Sequence, residues 1–247
     1  MKTSFLYVIA AAGCAPLAHA TLQLSFEING GSPTVCASSP VETGPLTCSS
    51  ITGSGVSITN FSAQTNAPGG PAESHEFGST LEIINTSSST ELVTLWLSAQ
   101  NFTFPTVPPG TIGYDSEVAL TSTSGTGSVG LISCVDVSNL LAPPTNTFCS
   151  GAGSPQLTNV PQSYSGASSE KNTVSQTITS LSSPFSLSQE ITLTLGRNSD
   201  LNVDTSQILT PTIPPPIPEP ASIALLGGAM LFIAAGGHLV RRKRNQS

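Results

Sequence analysis

The residues able to do acid–base, nucleophilic or metal chemistry are few and scattered. Of the three histidines, His19 and His238 lie in apolar terminal segments, which leaves His75 as the only base for a Ser-His-Asp arrangement. It sits in Ala72-Glu73-Ser74-His75-Glu76, which reads as a polar loop, and no Gly-x-Ser-x-Gly elbow is present to hold a nucleophile. Glycoside hydrolysis needs two carboxyls across the scissile bond. Glu73 with Glu76, or Asp115 with Glu117, would supply such a pair, but ordinary surface acids look the same. Asp200-Leu201-Asn202-Val203-Asp204 has the alternating oxygen ligands that open many calcium loops. Thr205 stands where such a loop needs Gly and Pro211 where it needs an acid, so an EF-hand is excluded and a polar strand end or hairpin is expected. Trp96, the only tryptophan, would stack on a sugar ring if it faced solvent, but its apolar neighbours assign it to packing. The expectation is a non-enzymatic chain with no catalytic residues, no metal and no cofactor.

Cysteine chemistry is more definite. Setting aside Cys14 in the N-terminal segment leaves Cys36, Cys48, Cys134 and Cys149, an even number. Local pairing, Cys36 with Cys48 and Cys134 with Cys149, is preferred among the three connectivities. It closes segments of 13 and 16 residues, each worth roughly 3 kcal/mol in the chain-entropy model. Zinc is disfavoured, because no two cysteines are close in sequence and the body holds a single histidine.

The elements that must position these residues read as strands. Leu22, Leu24, Phe26 and Ile28 alternate with Gln23, Ser25 and Glu27. Phe185, Leu187, Ile191, Leu193 and Leu195 share one face, with Ser186, Ser188, Glu190, Thr192 and Thr194 on the other. This period of two marks half-buried strands. Val93, Leu95, Leu97 and Ala99 hold odd positions, then Phe102 and Phe104 even ones, so a β-bulge is expected near Gln100 or Asn101. Further strands are expected at 56–61, 80–84, 117–121, 130–137 and 173–181. Turn residues punctuate them at Asn29-Gly30-Gly31, Ala67-Pro68-Gly69-Gly70-Pro71 and Ser122–Gly127. Residues 21–209 are therefore expected to form one exported, Ser/Thr-rich antiparallel β-sandwich, jelly-roll or Ig-like. The hydroxyls would give wet strand faces without charge.

Charge excludes whole classes of partner. Charged residues are 9% of the 247, against about 25% in ordinary soluble domains. Between Thr21 and Pro220 only Lys171 and Arg197 are basic, while all 14 acids lie there, a net charge of −12. Phosphate binding needs clustered cations, so nucleic acid is not a partner.

The two ends read as addresses. Residues 1–20 form a secretory signal: Lys2 at the start, an apolar stretch from Phe5 to Ala12, and Ala18-His19-Ala20 for signal peptidase. Ala221 to Val240 is a 20-residue apolar run, long enough at about 1.5 Å per residue to cross a bilayer as a single helix. Arg241, Arg242, Lys243 and Arg244 follow, in a tail (241–247) that stays in the cytoplasm by the positive-inside rule. Before the span, residues 210–220 crowd in Pro211, Pro214, Pro215, Pro216, Pro218 and Pro220, an extended polyproline stalk.

Pro218-Glu219-Pro220, an apolar span and a terminal basic cluster, in that order over residues 217–244, resemble the PEP-CTERM sorting signal of exopolysaccharide-producing Gram-negative bacteria. The resemblance implies processing by an exosortase, with Pro218, Glu219 and Pro220 as substrate residues, after transient residence in the inner membrane. It implies delivery to the cell surface or extracellular polysaccharide matrix, and reports destination rather than activity. The same residues would also make a plain single-span anchor. In such a host the sequons at Asn60, Asn85 and Asn101 are chance matches. A structural or adhesive role in biofilm or floc is the leading expectation, with a carbohydrate-binding module and a surface hydrolase as the other classes.

Overall fold

The computed structural model describes residues 20–40, 45–70, 72–80, 82–107 and 110–212. Ala18, the Pro218-Glu219-Pro220 motif, the expected span and the Arg241–Arg244 cluster lie outside them. Among the described residues no helix is long and apolar enough to cross a membrane.

The chain starts in one sheet with β1 (Thr21–Ile28) and β2 (Thr34–Pro40). A second sheet takes β3 (Leu46–Gly53), β4 (Val56–Thr65), β5 (Ser74–Ser79) and β6 (Glu82–Asn85). The first sheet regains the chain for β7 (Glu91–Phe102), the second for β8 (Ile112–Ser124). Next come β9 (Thr126–Asp136), β10 (Gln156–Thr158) and β11 (Gln162–Ser165) in the first sheet, and β12 (Ser168–Ile178) in the second. Finally β13 (Phe185–Leu195) lies in the first and β14 (Asp200–Pro211) in the second. The first sheet runs β10-β9-β13-β7-β1-β2 with β11 beside β9, and the second runs β12-β8-β14-β5-β4-β3 with β6 bridging β14 and β4. Every pairing is antiparallel. This is the expected all-β sandwich.

The alternation in sequence fills the space between the sheets. Leu24, Leu95, Leu97, Leu131 and Ile191 of the first sheet meet Ile58, Phe61, Ile83, Ile112 and Leu120 of the second, all fully buried. Each such side chain contributes about 1.5–3 kcal/mol by leaving water. The bulge falls where the parity change placed it. Phe185 pairs with Phe102 and Leu187 with Ala99, so Ser186 alone opposes Gln100 and Asn101. Asn101 absorbs the extra residue with φ +67°, and beyond it Phe102 turns inward to stack on Phe185 at 5.5 Å.

Three local expectations are corrected. The turn expected over Ser122–Gly127 narrows to a single residue: β8 and β9 run through the rest of it, turning from sheet to sheet at Gly125. A Cβ on Gly125, whose φ is +82°, would lie 2.4 Å from Ser199 Cα, so only glycine makes that corner. Ala72–Glu76 is not a loop, because β5 begins at Ser74. The strand expected from Thr80 starts instead at Glu82.

Candidate functional site

Beside that late start lies a feature of the second sheet that resembles a binding site. β5 and β6 share one strand position between β4 and β14, β5 ending at Ser79 and β6 beginning at Glu82. Thr80 bridges the break: its N–H donates to the Val203 carbonyl (2.9 Å) and its hydroxyl accepts from the Val203 N–H (3.0 Å). Above the break a shallow groove of about 380 Å³ is lined by Asn60, Ser62, Ser79, Thr80, Asn202 and Asp204. Asn60 stands in the left-handed region (φ +53°), a conformation asparagine tolerates better than most residues. Five of the six linings are neutral hydroxyls or amides.

Beside the groove, β5 presents His75, Phe77 and Ser79 outward in the register of Ile208, Ser206 and Asp204 on β14. Phe77 is 38% exposed, and the His75 ring lies 4.6 Å from it, tilted by 33°. His75 Nδ1 is 3.0 Å from Glu73 Oε1. Across the sheet, Glu117 and Lys171 form an ion pair at 2.8 Å, and Thr173 donates to the same carboxylate. Asp115 and Glu117 share this outer face on β8, so that pair is a surface pair as expected.

Glu76, read as an ordinary surface acid, is fully buried instead. Its Oε2 accepts from Gln207 Nε2 (2.7 Å), Gln207 Oε1 accepts from the Tyr114 hydroxyl (3.1 Å), and Gln189 reaches from the first sheet to the Glu76 carbonyl (3.0 Å). Burial pushes the Glu76 carboxyl up to about 8, against the pull of the Gln207 hydrogen bond, so the interior favours the protonated acid. Burial, and after it the charge of Glu76, raise the Tyr114 phenol well above its ordinary range. Glu76 Oε1, Gln189 Oε1 and Thr205 Oγ1 are buried without a hydrogen-bond partner. No substrate reaches this interior acid.

Sequence parity alone misplaces Glu76. Alternation puts Phe77 inside and Glu76 outside, yet the strand is turned the other way. Gly78 goes with that orientation: a Cβ there would lie 2.4 Å from Leu97 Cδ2 and 2.8 Å from Thr205 Oγ1. Gly78 faces the interior where the Leu97 and Thr205 side chains crowd it, and Ser74 and Glu76 share its side of the strand.

Part of the outer face of the first sheet is covered, although Leu92 on the same face is 43% exposed. Residues 137–155 cross it as a strap, held down by the Cys134–Cys149 disulfide. Ser186 donates to the Leu140 carbonyl (2.6 Å), Gln23 to that of Ala142 (3.2 Å) and Ser25 to that of Pro143, while the Ala142 N–H donates to Ser98 (3.0 Å). Asn101 and Asn139 exchange two hydrogen bonds of 2.7 Å, tying the strap to the bulge. Gln23, Ser25, Ser98, Ser186 and Ser188 are therefore buried, not wet as expected. Trp96 is 5% exposed and donates from Nε1 to Glu190 (2.8 Å). It packs, as its neighbours implied.

The other candidate residues are widely separated. Cys36 and Cys48 are bonded, joining β2 to β3 across the sandwich. Asp200, Asn202 and Asp204 lie along β14 with Leu201 and Val203 turned inward, so the segment is a strand and not a loop around an ion. Among the described residues no group of three His, Cys, Asp or Glu side chains is arranged to hold a metal. Asn85 is fully buried, with its amide bonded to the Ser89 and Leu195 carbonyls. Ala20 is the first described residue and is buried.

No protein-family model matches the chain, and no curated protein does. Two solved structures align weakly. One is the CBM22-1–GH10 modules of Clostridium thermocellum endo-1,4-β-D-xylanase 10B complexed with xylohexaose, at 13% identity and TM-score 0.30, over 64% of this chain. The chain spans 25% of that one's length. The other is TmCBM61 in complex with β-1,4-galactotriose, at 8% identity and TM-score 0.31, over 61% of this chain and 88% of that one. Neither superposition is close enough to carry a function across.

Proposed function

We propose that this is an exported, non-enzymatic surface or matrix protein that is sorted through its C-terminal tail and adheres to extracellular polysaccharide by the outer face of its second sheet. The observation carrying the adhesive half is the groove at the β5–β6 break, a concave, hydroxyl- and amide-lined site on a sheet face that nothing in the described chain covers. Sugars exchange hydrogen bonds with such groups, and clefts of about 300–1,000 Å³ are the usual size for small ligands. The two disulfides support an oxidising compartment outside the cytoplasm. The sorting half rests on the residues of the tail, with exosortase and signal peptidase as processing partners.

Two measurements test the halves separately. Affinity electrophoresis of the full chain, in mild detergent, through gels holding soluble polysaccharide should retard it without shortening the polymer. Unretarded migration in every gel would remove the adhesive half. Mass spectrometry of the C-terminus in the host's surface fraction should find chains ending near Pro218 to Pro220, without Arg241–Arg244. An intact tail retained in the inner membrane would make the protein a resident anchored one.

A further inference from the structure

We propose that the groove at the β5–β6 break selects a neutral polysaccharide chain and rejects uronate-, sulfate- or phosphate-bearing ones, with Phe77 as the stacking platform at its side. This rests on the adhesive reading above and adds the class of ligand and the residues that choose it.

Charge decides the class. Asp204 is the only ionisable residue lining the groove, and it is an acid. The acids sharing this outer face on neighbouring strands are Glu82, Asp115, Glu117 and Asp200, while Lys171 on the same face is already paired with Glu117 at 2.8 Å. An anionic sugar brought to Asn202 and Asp204 would meet negative charge with no cation in the groove's lining to offset it. A neutral ring meets the opposite situation. The Asp204 carboxylate accepts from adjacent hydroxyls, and the Asn60, Asn202, Ser62 and Ser79 side chains supply both donors and acceptors.

Phe77 supplies what hydroxyls lack. Phenylalanine has no polar atom to justify exposure, yet this ring lies outward on a central strand, next but one to groove residue Ser79, while Gly78 faces in. The apolar C–H face of a sugar covers such a ring, while the sugar's rim hydroxyls reach the groove. His75, 4.6 Å from Phe77, backs the ring on the side away from Ser79.

The test is affinity electrophoresis of the full chain against two neutral polymers, arabinogalactan and hydroxyethyl cellulose, and two uronate polymers, alginate and polygalacturonate. At least one neutral polymer should retard the chain. Phe77→Ala and Asp204→Ala should each weaken that retardation by about tenfold, with unchanged thermal melting; Asp204→Asn, which keeps the shape, should admit the uronates. Retardation by a uronate polymer equal to or stronger than by the neutral ones overturns the inference. So does neutral binding that Phe77→Ala and Asp204→Ala leave untouched, though adhesion then survives at another face. No retardation by any of the four refutes the inference and the adhesive reading together.

Discussion

The two outer faces of this sandwich are made of the same residue types and meet opposite fates. On the first sheet, Gln23, Ser25, Ser98 and Ser186 lie under the 137–155 strap and spend their hydrogen bonds on its backbone. On the second, Asn60, Ser62, Ser79 and Asn202 line an open groove. The covered face shows what a hydroxyl-rich strand surface accepts: an extended chain that presents polar groups at intervals, held by several modest bonds. The strap occupies the first sheet much as a polysaccharide would occupy the second. A polar strand face is thus not a solvated one by default, and its partner can be internal or external.

The largest test concerns the interior that both faces share. Glu76 is held near 8 in the folded chain against 4.5 unfolded. The fold favours its protonated form, so this contribution is complete below 4.5, drains away as pH rises toward 8, and stays lost above that. At about 1.4 kcal/mol per unit, the decline is on the order of several kcal/mol. Urea unfolding of Glu76→Gln should lack this alkaline loss; a variant as alkali-sensitive as the parent would place the effect elsewhere. Next in size, Cys134→Ser with Cys149→Ser should cost about 3 kcal/mol and open 137–155 to limited proteolysis, leaving groove binding intact. If that double variant also lost polysaccharide binding, the faces would not be independent.

A smaller effect is expected at the bulge. Asn101→Ala puts a less tolerant residue at φ +67° and removes one partner of Asn139, for about 1–2 kcal/mol by thermal melting. Asn101→Gly should recover the backbone part alone. The smallest change in stability belongs to the groove: Ser79→Ala and Asn202→Ala should stay within about 0.5 kcal/mol of the parent while weakening retention on a neutral polysaccharide gel. Equal losses of stability and retention would make those side chains structural.

Much of the framework could be read from residue order. Alternation found β1, β7 and β13, and a parity change found the bulge at Gln100–Asn101. The disulfides have the local pairing, since short closed segments bring those cysteines together most readily. What escaped is non-local. The way β5 faces sets Gly78 against Leu97, two strands remote in sequence, a contact no local pattern reveals. The fate of Ser25 and Ser186 is decided by a strap whose own sequence, rich in Pro and Asn, carries no period at all. The groove lies where β5 ends at Ser79 and β6 begins at Glu82, a pairing of two short strands in one position that the expected loop at 72–76 and strand at 80–84 did not foresee. Alternation says that a residue changes sides, never which side is wet.

One feature has mechanical weight. β14 ends at Pro211 in the middle of the second sheet, flanked by β8 along its whole length and by β5. Tension entering the body through Pro211 therefore pulls on an interior strand along its axis. Twelve register pairs with β8 resist it together, in shear, rather than peeling apart in succession as a frayed edge would. A body loaded from that end behaves as a clamp whose yield is set by β14, and stretching it in a force spectrometer should give one high rupture instead of a staircase.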